Sequence, residues 1–436
     1  MVVRNNDLYQ LCRNFFKAAL LLLNSYLKQV DEPIYKCIDE AQFLEDGSIR
    51  IESRYVPDLH MLLSNHRDKL KALPEFARLC TFVAKTELKQ ELLVDYHGNL
   101  ILSQIYDRWL FDFTCIPLIS KYISTIHSFD FNKEVFNELY QGIEEFCYSP
   151  TILFIYTAPL FYFDAHTNDG NIALTSDLII RRLTAQERSH LWSMASDSPL
   201  LSRQDTYNLR FAAEITKRTN KRDSPHDLIE HFAALEVLLR LITRQPISIN
   251  FVLSRQEPWF NSKATIGGIH FWPKTRQQRL MPQFPRVLFN SNNIESLRRL
   301  WKGYTEIKND TRLTLALNRF GSAYDEVKSE DKLLDLWIGL ETLFSQGIQQ
   351  ELGYRIALRM AYFLGKTYKS REKIRKGAKE SYKRRSAIVH GDKPKGDLNA
   401  ITKRTENFLA ASLRSCLYHG KVPSEEDLEN KIVKGA

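Results

Sequence analysis

Leu333-Leu334-Asp335-Leu336-Trp337-Ile338-Gly339-Leu340-Glu341-Thr342-Leu343-Phe344 decides how the C-terminal part of this 436-residue chain folds. Leu333, Leu336, Trp337, Leu340, Leu343 and Phe344 return at three- and four-residue steps. An α-helix carries such residues on one stripe, which it must bury against a neighbour. Leu352, Ile356, Met360, Phe363 and Leu364 repeat the spacing and stop at Gly365. A basic segment from Ser370 to about Val389 then reads as helix. After the break between Gly391 and Gly396, Leu398, Ile401, Phe408, Leu409, Leu413, Cys416 and Leu417 give a last helix ending near Gly420. From about Asn293 onward the pattern predicts a helical bundle.

The preceding residues have mixed character. Residues 8–29 have helical spacing, and Ser48-Ile49-Arg50-Ile51-Glu52 alternates as a strand does after Asp46-Gly47. Leu92-Leu93-Val94 and Leu100-Ile101-Leu102 flank His97-Gly98-Asn99 as a hairpin would. Residues 151–163 and 172–182 read as strands, and Leu209 to Ile215 as extended chain. Thr184-Ala185-Gln186-Glu187 is a capping-box pattern that starts a helix. Ser224-Pro225 opens another, with Leu228, Phe232, Leu235 and Leu239 on one face. Residues 246–290 are irregular, with five prolines and two candidate short strands. The expected class is therefore α+β: a mixed α/β region over 1–290, then an all-α bundle over 291–436.

Composition narrows the function. With 44% hydrophobic and 26% charged residues, the chain is an ordinary globular protein rather than a fibrous or disordered one. Its six cysteines form no C-x-x-C pair, which argues against a thiolate zinc site or a disulfide framework and for reduced thiols. The run Ala18 to Leu23 is too short to span a bilayer. Arg4, Arg13 and Lys17 precede it as in a signal peptide, but no small-residue cleavage pattern follows. Thr151 to Phe163 is broken by Pro159. A cytoplasmic protein without a membrane partner is expected.

The net charge of +9 is concentrated. Lys366 to Arg385 holds ten basic residues against two acidic ones, a local charge of +8. Such a field draws polyanions, although a solvated helix face is the plainer reading. At its end stands Arg384-Arg385-Ser386-Ala387-Ile388-Val389-His390-Gly391. A forked, permanent cation suits the charge that builds on a phosphate, and an imidazole can move a proton near neutral pH. Together they suffice for cleaving RNA without a metal. A five-residue step on a helix turns through about 140°, so Arg385 and His390 do not stack on one face.

Four stretches together carry a resemblance to a known family: Asp335 to Leu343, Glu351 to Arg359, Ala361 to Gly365, and Arg385-Ser386-Ala387-Ile388-Val389-His390-Gly391. In this order they resemble the HEPN superfamily, in its Apea-like branch, over about 310–420. The resemblance implies a helical bundle that dimerises so that two Arg–His pairs meet in one cleft. It also implies metal-independent endoribonuclease activity with no cofactor, often in anti-phage defence or toxin systems. It favours Arg385 over Arg384 as the catalytic arginine, with His390 as the catalytic histidine. Glu341 and Ser386 are candidate supporting residues, with Arg384 as the alternative arginine. Lys379, Lys383 and Lys393 are candidate phosphate contacts. The implied partners are an RNA substrate, a second copy bound through the C-terminal bundle, and a phage-derived or other trigger at the N-terminal region. The alternative is a non-catalytic dimerisation or nucleic-acid-binding module.

Other constellations are weaker. Asp164, His166 and Asp169 could suggest a metal site, but loop turn chemistry is the commoner use of such residues. His226 and His231 are poorly spaced for a shared metal, and Arg355 and Arg359 suit packing against acidic neighbours better than RNA. No phosphate-binding G-x-x-x-x-G-K-[ST] loop and no G-x-S-x-G elbow is present.

Overall fold

The computed structural model describes residues 3–29, 35–43, 49–92, 102–165, 171–185, 187–189, 191–192, 206, 208–220, 227–257, 268–271, 286–348, 350–392 and 396–434. Helix α1 (Asn6–Gln29) buries Leu8, Cys12, Phe15, Phe16, Ala19, Leu20 and Leu23 at three- and four-residue steps. Its start is tied down by Glu144, whose buried carboxylate accepts the backbone N–H groups of Arg4 and Asn5 and the Tyr140 hydroxyl. Those N–H groups have no intrahelical acceptor, so the carboxylate satisfies them. Strands β1 (Tyr35–Phe43) and β2 (Ile49–Pro57) pair antiparallel.

Helices α2 (Leu59–Asn65), α3 (Arg67–Lys71), α4 (Pro74–Lys85), α5 (Lys89–Leu92), α6 (Tyr106–Leu110), α7 (Ile116–Ile126) and α8 (Lys133–Tyr148) follow. The expected hairpin at 92–102 is corrected at its described ends: Leu92 closes α5, and Leu102 precedes a 3₁₀ turn at Ser103–Ile105. Its remainder lies outside the described residues.

Nine residues, Thr151 to Pro159, form β3, and Phe163–Ala165 form β4. The expected strand at 172–182 is two strands, β5 (Asn171–Ala173) and β6 (Leu178–Arg182), joined by a turn. With β7 (Phe211–Asn220), β8 (Phe251–Glu257) and β9 (Gly268–Phe271) they build a six-stranded antiparallel sheet in the order β5-β6-β7-β3-β8-β9. Strand β10 (Val287–Phe289) pairs parallel with β4. The capping box forms, with Thr184 and Glu187 exchanging backbone and side-chain bonds. Ser224-Pro225 lies outside the described residues, but helix α9 (Asp227–Thr243) follows.

Seven further helices complete the chain: α10 (Ser291–Ile307), α11 (Thr311–Ser322), α12 (Ser329–Phe344), α13 (Leu352–Leu364), α14 (Tyr368–Val389), α15 (Leu398–His419) and α16 (Glu425–Val433). The protein is thus α+β, with a small antiparallel sheet before a helical C-terminal region. Helix α16 lies beyond the helix expected to be last. Helix α12 packs between α11 and α15, and α13 packs on α14 and α16. Helix α9 joins the bundle through Arg240, whose buried guanidinium donates to the Gly321 carbonyl at 2.8 Å and to Asp325 at 3.0 Å. Among the described residues, no helix is long and apolar enough to cross a membrane.

Candidate nucleic-acid interface and catalytic pair

Helix α14 and its C-cap carry every described residue proposed for the Arg–His site but Glu341. Thr367 starts it as N-cap, exchanging hydrogen bonds with Ser370. At 100° per residue, Ile374, Gly377, Ala378, Ser381, Arg385 and Ile388 fall within about 100° of one another and form the inward stripe. Gly377, Ala378 and Ser381 are buried, and Ile374 and Ile388 pack against the core. Helix α13 approaches closely because Gly353 has no side chain. A Cβ there would lie 2.2 Å from the Tyr382 ring, which also packs edge-on to Trp337.

A buried polar chain fixes the rotation of α14. The Trp337 indole N–H donates to Ser381 Oγ at 2.8 Å, and Ser381 meets Thr405 Oγ1. Thr405 donates its own proton to the Ile401 carbonyl at 2.8 Å. The Ser381 proton must therefore point to Thr405, and all three helices are linked in one ordered relay.

That rotation places Arg385 one turn further along the inward stripe, against Glu341 of α12. Arg385 Nη2 donates to Glu341 Oε2 at 3.2 Å. Glu341 Oε1 lies 3.1 Å from the same nitrogen but out of hydrogen-bonding line. Among the described residues, neither this oxygen nor Arg385 Nε has a hydrogen-bond partner. Burial consequently pushes the Glu341 carboxyl above its ordinary value, and Arg385 only partly offsets the push.

His390 is the C-cap of α14 and is exposed. The helix stops there in a Schellman motif: Gly391 N–H donates to the Ile388 carbonyl at 3.1 Å and Asp392 N–H to the Ala387 carbonyl at 2.8 Å. Gly391 has φ of +79°, which only glycine adopts freely. His390 is therefore presented to solvent at a fixed helix end, on a face about 140° from Arg385. No hydrogen bond ties its ring to another described residue.

The other candidates scatter around the helix. Ser386 accepts the His390 N–H through its backbone carbonyl at 3.1 Å and is half-buried. Arg384 leans toward the following loop, with Nη2 3.9 Å from where a Cβ on Gly396 would stand, and its Nε is buried without a partner among the described residues. Lys383 is exposed, and Lys379 sits 5.2 Å over the Tyr354 ring. Lys393 lies outside the described residues.

Asp164 lies within β4 rather than in the loop expected from the sequence, and Arg210 at 3.6 Å and Arg286 at 3.7 Å face its carboxylate, while His166 and Asp169 lie outside the described residues. The described residues include no group of His, Cys, Asp and Glu fit to hold a metal. His226 is likewise outside them, and His231 packs beside Trp301. Arg355 is exposed. Arg359 is buried and bonds Glu429 and the Phe344 carbonyl, the packing role its acidic neighbours suggested.

Tyr354 and Tyr368 were not candidates in the sequence. Their signal is weak there, because Tyr354 meets Lys379 only through the packing of α13 on α14. Compared with family models, curated proteins and solved structures, the chain matches none.

Proposed function

We propose that the chain is a metal-independent endoribonuclease of the HEPN type, acting as a cytoplasmic homodimer in a defence or toxin system. The observation that carries this reading is the division of labour at the end of α14. Glu341 anchors the Arg385 guanidinium on the inward side, while Gly391 ends the helix so that His390 stands free in solvent.

The chemistry follows from those two groups. His390 takes the proton of a ribose 2′-OH, the 2′ oxygen attacks the adjacent phosphorus, and the bond to the 5′ oxygen breaks. The products are a 2′,3′-cyclic phosphate and a 5′-hydroxyl that has received a proton. Arg385, held through Nη2 with its Nε buried, keeps Nη1 for the oxygens on which charge develops. Because Arg385 and His390 face about 140° apart, one copy does not aim both at the same phosphate. A second copy across a two-fold axis completes the site, its histidine supplying the proton to the leaving oxygen.

The inward pairing of Arg385 favours a second reading, in which the bundle only dimerises or binds nucleic acid. Incubation of total RNA and a matched DNA with the purified chain in EDTA separates the two. The ribonuclease reading expects RNA fragments ending in 2′,3′-cyclic phosphate and intact DNA. Uncut RNA, or cleavage that also consumes the DNA, counts against it.

A further inference from the structure

The face of α14 opposite the core has its own order. Tyr368, Arg375, Lys379, Lys383, Ser386 and His390 fall within about 80° of one another around the helix axis. At about 1.5 Å per residue this stripe runs roughly 33 Å from Tyr368 to His390. Tyr368 is 84% exposed, far more than an aromatic ring needs to be at a helix start, and Tyr354 of α13 is 42% exposed beside the same stripe. Lys379 Nζ lies 5.2 Å over the Tyr354 ring, and Arg375 is within electrostatic reach of both tyrosines.

The acidic groups on this helix are already neutralised. Glu372 is bonded by Arg375 and Lys376, and Glu380 by Arg404. Among the described residues, Lys379 and Lys383 of this stripe have no carboxylate partner, and Lys379 stands over the exposed Tyr354 ring. Cations interleaved with exposed aromatic rings are what an unpaired nucleic-acid strand requires. Every base has a face to stack, and the backbone between bases carries the charge. A duplex hides its base faces and gains only the electrostatic part.

We infer that the outer face of α14, with Tyr354 beside it, is a track for single-stranded RNA that stacks bases on Tyr354 and Tyr368, holds phosphates on Lys379 and Lys383, and leads the strand to His390. This names the substrate class of the proposed ribonuclease and rests on that reading for the direction of the track.

The test is equilibrium binding of the full chain to a 2′-O-methyl oligonucleotide of about twelve nucleotides, a length in the usual range for such grooves. Lacking a free 2′-OH, the probe is not cut. Fluorescence anisotropy is read for the single strand, for the same strand in a duplex, and under competition by heparin, a polyanion without bases. The single strand should bind about tenfold or more tightly than the duplex. Tyr354→Ala and Tyr368→Ala should each weaken it about tenfold, and the Phe variants should retain it. Equal binding of duplex and single strand, no effect of the Ala variants, loss on Phe substitution, or heparin matching the strand in affinity would each overturn the track. A chain that cuts RNA in EDTA but shows any of these results keeps the ribonuclease reading and loses the track. Ring-dependent binding without cleavage does the reverse.

Discussion

Arg385 Nη2 donates a hydrogen bond to Glu341 Oε2 at 3.2 Å, joining α14 to α12 at the turn where the proposed catalytic pair begins. The carboxyl is raised by burial, with Arg385 opposing. The folded chain therefore holds a proton there more readily than the unfolded chain. The stabilising contribution is complete below the ordinary carboxylate range and falls as pH rises through the raised value. Glu341→Gln abolishes this titration. The stability of wild type minus variant, from denaturant melts at several pH values, should decline with rising pH across that window. A difference flat in pH contradicts the assignment.

Ser381→Ala leaves the buried Trp337 indole N–H without an acceptor and should cost about 1–3 kcal/mol. Trp337→Phe removes the stranded donor. Adding it to Ser381→Ala should destabilise by clearly less than the sum of the single losses in urea melts. Strict additivity would mean the relay does not couple the two helices.

Arg359→Ala should cost about 2–3 kcal/mol, because the charge-assisted bonds to the Phe344 and Gln346 carbonyls are lost. Glu425 and Glu429 are each half-exposed and can rehydrate, so they add little. Thermal unfolding measures this. Hydrogen exchange should show α16 released first, and unchanged protection of α16 would sink the account of how that helix is held.

Gly391→Ala should cost about 1 kcal/mol through the left-handed backbone alone, since an added Cβ meets no atom within 4 Å. Gly391→Asn should lose less, because asparagine tolerates that conformation. Equal losses in melts of the two variants would point to a side-chain clash instead.

The bundle was legible wherever an apolar stripe was long enough. Leu333 to Phe344 and Leu352 to Leu364 gave α12 and α13, and Gly365 marked the end of α13. Helix α16 was invisible because Leu428 is its only buried side chain among acidic neighbours, and its bond to Arg359 is made through tertiary packing. Leu92 and Leu102 misled because a run of two or three apolar residues cannot distinguish strand from helix. At the site, the spacing of Arg385 and His390 disclosed their separate faces, and Glu341 was already a candidate partner. The phase of Tyr368, Lys379 and Lys383 was present in the sequence too. Tyr354 was not, because its neighbour on α14 is supplied by tertiary packing.

The central claim is that His390 performs metal-independent RNA cleavage. The most direct measurement compares wild type with His390→Ala, both purified as full chains, on total RNA in EDTA, with any activating factor supplied equally. Wild type should yield fragments ending in 2′,3′-cyclic phosphate, and the variant should be slower by about a hundredfold or more, the scale of a lost general acid–base. Equal cleavage by the two proteins, or no cleavage by wild type, would contradict the claim.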